Sequence, residues 1–314
     1  MIGERAIDGF EAVTLTAPED GIEAAFVPGA GMVGCSLTYR GTELLGQRGG
    51  LARYVGKRST MGIPLLHPWA NRLGAWRFEV MGTEVDVDAA DPPAGTDPNG
   101  LPIHGLLSAA PGWEVTGREV ADDGGTLAAR FDFAAHEGLL RAFPFPHEIA
   151  MEVTLAGRAL TIATTVEATG EVPVPISFGY HPYFQLPGVD RSDWQVEIPV
   201  RERLLLDDRM LPTGEREPVE IEPGPLGART FDDAFVAPPE GERFAVAGGE
   251  TRIEVAFESG YPYAQVYAPA EDDVIALEPM TAPTNALVTG GSQLPITEPG
   301  ESYRASFSVT VLED

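Results

Sequence analysis

Glycine and proline punctuate this chain from end to end, 36 and 28 of its 314 residues, and they pool in no single stretch. At that density few segments run unbroken for several helical turns, so short strands joined by turns are the expected product. The apolar residues between the breaks alternate as strands require. From Tyr303, one face reads Tyr303, Ala305, Phe307, Val309 and Val311, and the other reads Arg304, Ser306, Ser308 and Thr310. Ile149, Met151, Val153 and Leu155 alternate with Ala150, Glu152 and Thr154, and after Ala156-Gly157-Arg158 the pattern resumes as Leu160, Ile162, Thr164 and Val166. That is a hairpin signal. Further hairpins are expected over 77–87, turning at Gly82-Thr83, and over 243–257, turning at Gly248-Gly249. No segment predicts a helix of three turns; the short candidates are 105–110 and 284–288. Strands without crossover helices imply an antiparallel, all-β architecture, a large antiparallel β-sandwich or a barrel. Pro/Gly/acidic stretches at 89–100, 215–227 and 237–242 read as surface loops. None reads as a linker, so residues 1–314 are expected to form one domain.

Acidic side chains outnumber basic ones 48 to 21, a net charge of −27. A charge of that size repels phosphate backbones and anionic headgroups, which argues against nucleic acid and membrane surfaces as partners. At 43% apolar residues the chain is too hydrophobic for a disordered acidic polymer. No stretch approaches the ~20 apolar residues of a membrane helix, and the N-terminus lacks the basic and apolar regions of a secretion signal. A cytosolic location is the expectation. Cys35 is the only cysteine, set in the apolar run Met32-Val33-Gly34-Cys35-Ser36-Leu37, and reads as a small buried hydrophobe.

Only five histidines are present. His67 and His181 precede proline in Leu66-His67-Pro68-Trp69 and Tyr180-His181-Pro182-Tyr183-Phe184, and His104 stands in Pro102-Ile103-His104-Gly105-Leu106. His136 and His147 read as surface or strand-edge residues. No spacing suits a zinc site, and no phosphate-binding glycine loop or serine nucleophile elbow is present. What remains is a set of polar residues inside apolar, Gly/Pro-edged segments. These are Asn71-Arg72, His104, His181, Asp232-Asp233 and Glu278, the last in Ile275-Ala276-Leu277-Glu278-Pro279-Met280. A carboxylate after such a strand points into a cleft or pairs with a cation, because burying it alone is costly. On the residues alone, each of these is either catalytic or a hydrogen-bonded structural group.

The ordered series Asn71-Arg72, His104-Gly105, Tyr180-His181-Pro182-Tyr183-Phe184, Asp232-x-x-Phe235 and Glu278-Pro279 resembles the aldose 1-epimerase (galactose mutarotase) family. The resemblance runs from about 62 to 287. It implies the family's galactose mutarotase-like supersandwich, with a small-molecule sugar held in an open cleft on one sheet. It further implies Glu278 as general base, His181 as general acid, His104 as a second active-site histidine, and Arg72, Asp232 and Asn71 as the substrate-binding set. Arg72 and Asp232 would hold sugar hydroxyls, and Asn71 the loop geometry. Neither metal nor cofactor is implied, because anomer exchange involves no redox change. Trp69, Trp76 and Tyr183 are candidates to stack on a sugar face or to pack the core.

Two departures bear on the substrate. Gly62-Ile63-Pro64 before Pro68-Trp69 also resembles the hexose-phosphate epimerase branch, and a single Gly105 follows His104 where typical galactose mutarotases carry a glycine pair. Arg48, Arg53, Lys57 and Arg58 form the one basic cluster, read either as a solvated loop or as an anion clamp. The sequence therefore predicts a 1-epimerase of a free aldose. Its rivals are a hexose-6-phosphate 1-epimerase and a non-catalytic sugar-binding module on the same fold, the second disfavoured by an acid–base set that a binder does not need.

Overall fold

The computed structural model describes residues 1–314. Its alternating segments are strands, and every pair of named strands is antiparallel. A nine-stranded sheet runs Glu114–Ala121, Gly124–Asp132, His147–Ala156, Ala159–Ala168, Ser302–Leu312, Thr251–Ser259, Phe244–Gly248, Gln195–Glu197 and Gly224–Pro225. An eight-stranded sheet runs Pro212–Pro218, Glu202–Leu206, Phe231–Val236, Tyr263–Ala268, Ile275–Met280, Gly179–Tyr180 and Leu65–Leu66, with Tyr183–Phe184 added on Ile275–Met280. An N-terminal five-stranded meander spans Ile2–Ile7 to Thr42–Glu43.

The two large sheets form a sandwich because each turns an apolar face to the other. A cluster of 70 buried residues takes Met151, Val153, Ile162 and Phe307 from the larger sheet and Phe235, Val266, Ile275 and Leu277 from the smaller. Tyr180 meets Phe307 across the gap at 5.0 Å and shares a 2.6 Å hydrogen bond with Thr164. Burial of each such large side chain stabilises the fold by about 1.5–3 kcal/mol. Cys35 is packed in a smaller cluster beside Leu51 and Tyr54, and burial pushes its thiol up to about 12.

The hairpins over 147–168, 77–86 and 244–259 form as the alternation predicts, the last two turning one residue away from expectation, at Met81-Gly82 and Gly249-Glu250. Helices differ in part from expectation. Gly50–Lys57 and Glu137–Ala142 are helical, Ala286–Thr289 overlaps the 284–288 candidate, and 105–110 is not helical. Gly50–Lys57 buries only Leu51 and Tyr54, too short a stripe to reveal a helical period. The stretch 215–227 is not wholly loop, since Pro212–Pro218 and Gly224–Pro225 are strands. Both lie at sheet edges, where exposed charges and prolines replace alternation. No helix is long and apolar enough to cross a membrane.

Candidate active site

The face of the smaller sheet turned away from the core carries the site, and register alone decides which side chains meet there. On Ile275–Met280, Ile275 and Leu277 belong to the core, so Ala276, Glu278 and Met280 project from the opposite face. Tyr183 pairs with Ala276 and Gly179 with Met280, which places His181 directly across from Glu278. His181 Nε2 lies 3.3 Å from Glu278 Oε1. On the other flank Gln265 pairs with Glu278, Tyr267 with Ala276, and Asp232 with Tyr267. Two rows result, His181–Glu278–Gln265 and Tyr183–Ala276–Tyr267–Asp232. Alternation also separates the adjacent aspartates. Asp232 Oδ1 accepts from Gln265 Nε2 at 2.7 Å, whereas Asp233 lies 3.5 Å from Arg203 Nε, away from the site.

Two loops rise over these rows and hold each other. Asn71 and His104 both adopt left-handed backbone, φ 54° and 63°, and the His104 amide donates to the Asn71 carbonyl at 2.9 Å. Such a conformation costs of order 1 kcal/mol or more in a residue with a side chain, so the surroundings must enforce it. Asp97 is one enforcer. It accepts Arg72 Nε at 2.9 Å and the amides of Asn99 and Leu101 at 2.8 Å each. Arg72 also donates to Asn71 Oδ1 at 3.0 Å and reaches Asp232 Oδ2 at 3.7 Å. Gly105 has φ 70°, and a Cβ there would stand 2.2 Å from the His67 carbonyl oxygen, so only glycine lets His104 sit this close to the strand beneath.

The result is a cavity of about 320 Å³ lined by Asn71, Arg72, His104, His181, Asp232 and Glu278 together with Arg48, Thr60, Pro98, Ile103, Tyr183 and Tyr267. All six residues singled out from the sequence therefore meet in one place. A second cavity of about 640 Å³ adjoins it, sharing Arg48, Thr60, Pro98, Ile103 and His104 and adding Lys57, Arg58, Ser59 and Ser108. Hence, of the basic cluster, Arg48 lines the site, Lys57 and Arg58 line only the adjoining cavity, and Arg53 lines neither. No group of three or more His, Cys, Asp or Glu is arranged to hold a metal ion.

Burial governs the charges. Glu278 is 1% exposed, and desolvation, with Asp232 adding repulsion and Arg72 opposing, holds its carboxyl well above the usual range. Desolvation, then His104, Arg48 and Arg72, hold His181 well below the ordinary imidazole value. Both shifts have the same sense, each disfavouring the charged form of its group. His104 is pushed down to about 3 by burial and then by Arg72 and Arg48, so it is a neutral hydrogen-bonding ring at pH 7. Asp232 is raised by burial, against Arg72 and Gln265. Glu278 Oε2, His181 Nδ1, His104 Nδ1 and Gln265 Oε1 have no partner in the protein, an unspent set of hydrogen bonds concentrated here.

Other expectations need correction. His147 is not an edge residue but fully buried, its Nε2 2.7 Å from Nε2 of His67. Its place in the chain is strand-initial, which concealed a partner 80 residues away. His67 lines neither cavity. Trp69 is core, and Trp76 donates to the Gly100 carbonyl at 2.8 Å, so Tyr183 is the one of the three candidate stacking rings in the cavity. Thr60, Asp97, Gln265 and Tyr267 escaped the sequence reading. Gln265 and Tyr267 had a usable signal, since they occupy the polar face of the alternating run Tyr263-Ala264-Gln265-Val266-Tyr267-Ala268. Asp97 and Thr60 stand in loops and had none.

Comparison with solved structures finds the same architecture. A Synechocystis sp. PCC 6803 protein matches with TM-score 0.79 at 25% identity, covering 96% of each chain. A galactose mutarotase-like protein of Clostridium acetobutylicum matches with TM-score 0.87 at 20% identity, over 100% of this chain and 99% of the other. Galactose 1-epimerase of Lactobacillus acidophilus NCFM matches with TM-score 0.75 at 12% identity, over 100% and 98%. Among curated proteins no sequence relative matches. The sequence model of one family, aldose 1-epimerase, matches residues 12–310, and the chain belongs to that family.

Proposed function

We propose that the chain interconverts the α and β anomers of an aldose by acid–base ring opening and closure, with no cofactor. The observation that carries this reading is the Glu278–His181 pair, 3.3 Å apart across one strand register, buried and lining a sugar-sized cavity. Ring opening takes the proton from the anomeric hydroxyl and gives one to the ring oxygen. The C1–O5 bond breaks and C1 becomes an aldehyde. Opening starts with the proton on His181 and Glu278 ionised. Glu278 accepts the first proton and His181 supplies the second, so the pair holds one proton before and after and only its position moves. After rotation about C1–C2, the reverse transfers close the ring on the other face.

Burial suits this exchange. The ordinary gap between the two groups is about 2 units in favour of the protonated histidine. Desolvation raises Glu278 and lowers His181, drawing the two protonation arrangements together, while Arg72 favours charged Glu278 and disfavours charged His181. A proton that must move both ways in each cycle is best held between near-matched sites. His104, neutral, orients the sugar; Arg72 and Asp232 take hydroxyls by charge-assisted hydrogen bonds, and Asn71 fixes the Arg72 loop. Anomer exchange followed by NMR over a panel of aldoses and their 6-phosphates tests the proposal. Exchange at the spontaneous rate for every sugar would sink it.

One observation favours a second reading with the same chemistry, a hexose 6-phosphate as substrate. Lys57 and Arg58 line the adjoining cavity. Neither has a carboxylate partner in a chain of net charge −27, Arg58 being bonded instead to the carbonyl of Pro93. Replacing both by Gln leaves turnover of a free aldose within a few-fold of wild type. If the phosphosugar is the substrate, the same change costs about tenfold or more per lost charge-assisted bond.

A further inference from the structure

Arg48 and Tyr183 line the cavity but take no part in the proton transfers. Tyr183 is 1% exposed, and its hydroxyl lies 2.7 Å from Thr60 Oγ1, accepts from Arg48 Nη1 at 2.9 Å and stands 3.1 Å from His181 Nε2. Its ring stacks on the His181 imidazole, centroids 4.2 Å apart and planes 15° from parallel. Nε2 thus lies between the phenol oxygen and Glu278 Oε1, the latter 3.3 Å away. Arg48 is fixed in turn, its guanidinium 5.0 Å from the Tyr183 ring centroid and 3.1 Å from Asp272.

We propose that Arg48 and Tyr183 are positioning residues for His181. Tyr183 sets the plane of the imidazole so that Nε2 addresses Glu278, and Arg48, locked to Tyr183, places a positive charge beside that ring. The groups facing His181 are Tyr183 on its own segment, Glu278 and Tyr267 from neighbouring strands, His104 from the rim, and Arg48 and Arg72 from loops. Of the two cations, Arg48 acts more strongly on the imidazole, and both disfavour its protonated form.

The test compares wild type with Arg48→Met, Arg48→Lys and Tyr183→Phe, using 15N-histidine NMR titration of the free protein and the pH profile of kcat. Only the kinetic half rests on the epimerase reading. Arg48→Met is expected to move His181 protonation to higher pH and to lower kcat about tenfold. Arg48→Lys restores the wild-type titration. Tyr183→Phe keeps the stack, frees Arg48, and moves the titration the same way by less. A His181 signal that coincides in wild type and Arg48→Met at every pH at which both are folded overturns the proposal, whatever happens to kcat. Absence of anomer exchange in wild type defeats the epimerase reading instead, and leaves the titration to decide this one.

Discussion

The chain holds two pairs of histidines, one sealed in the core and the other lining the cavity with His104 only partly buried. His67 and His147 lie among Phe133, Phe143 and Phe178, with no charged side chain in contact. His147 Nδ1 is 2.6 Å from the Phe145 carbonyl, which can only accept, so Nδ1 carries the proton and Nε2 is bare. His67 Nε2 must then donate to it at 2.7 Å. His104 and His181, edge to face at 5.3 Å, line a cavity beside Glu278, Arg48 and Arg72. Both pairs are held below the ordinary imidazole value. Perturbed protonation alone therefore does not mark a site. What separates the second pair is a carboxylate across the strand, cations behind it, and an opening to a cavity.

The strongest way to test that distinction is to remove the carboxylate. Glu278→Gln keeps the shape and cannot take the anomeric proton, so kcat falls by roughly 10²–10⁴. Stability at neutral pH rises, because a buried group that resists ionisation is replaced by a neutral amide. His181→Asn lowers kcat far more than it raises KM. Anomer-exchange kinetics with urea titrations read both effects. Activity within a few-fold of wild type in Glu278→Gln would return Glu278 to the structural class and remove the difference between the pairs.

The enclosed pair predicts the opposite pattern. His67→Ala opens a void among aromatic rings and strands a bare acceptor on His147, a loss of about 3 kcal/mol. The backbone carbonyl of His67, which accepts the Leu106 amide at 2.7 Å beneath His104, is retained. kcat of the folded fraction should stay within about fivefold of wild type. A hundredfold loss with unchanged stability would place His67 in the machinery.

How much of this was legible in advance follows the same division. The strands were legible because alternation is local, and the six-residue set because its motifs are short and ordered along the chain. The register that brings His181 opposite Glu278 was not, since it depends on pairing between segments almost a hundred residues apart. The His67–His147 contact was hidden for the same reason. Arg48 could be seen as part of a basic cluster but not as a partner of Tyr183, because the chain between them closes only in the tertiary fold. The helix Gly50–Lys57 was obscured by its two glycines and two-residue apolar stripe.

Acid should weaken the fold through all four histidines. Their folded values lie below the ordinary ~6.5 of the unfolded chain, so on acidification the unfolded state binds protons that the folded state refuses. Stability is therefore present above about pH 6.5 and is lost as pH falls toward about 4 for His147 and about 3 for His104. The His147 contribution alone is about 3 kcal/mol at its limit. Glu278, raised rather than lowered, has the reverse sign and its contribution is lost as pH rises. Urea unfolding at pH 5 and pH 7 should show lower stability at pH 5 in wild type, and again in Glu278→Gln, where the histidines remain. A flat profile in Glu278→Gln would mean that the histidines are not held neutral by the fold.

The smallest expected effect comes from two adjacent aspartates. Asp232 and Asp233 have nearly the same side-chain exposure, 36% and 28%, and stand one residue apart on a strand. The two-residue period of the strand sends Asp232 to the cavity, between Gln265 and Arg72, and Asp233 to Arg203. Asp232→Asn keeps the hydrogen bond from Gln265 but loses the charge that faces Arg72 and that, under the proposed function, holds a sugar hydroxyl. KM should rise about tenfold, with a smaller change in kcat, because this interaction is made in ground and transition states alike. Asp233→Asn removes one exposed ion pair, worth about 0–1 kcal/mol of stability, and should leave KM unchanged. Steady-state kinetics of the two variants separate the faces of a single strand. Equal effects on KM would mean that the cavity, and not the register beneath it, has been misassigned as the sugar site.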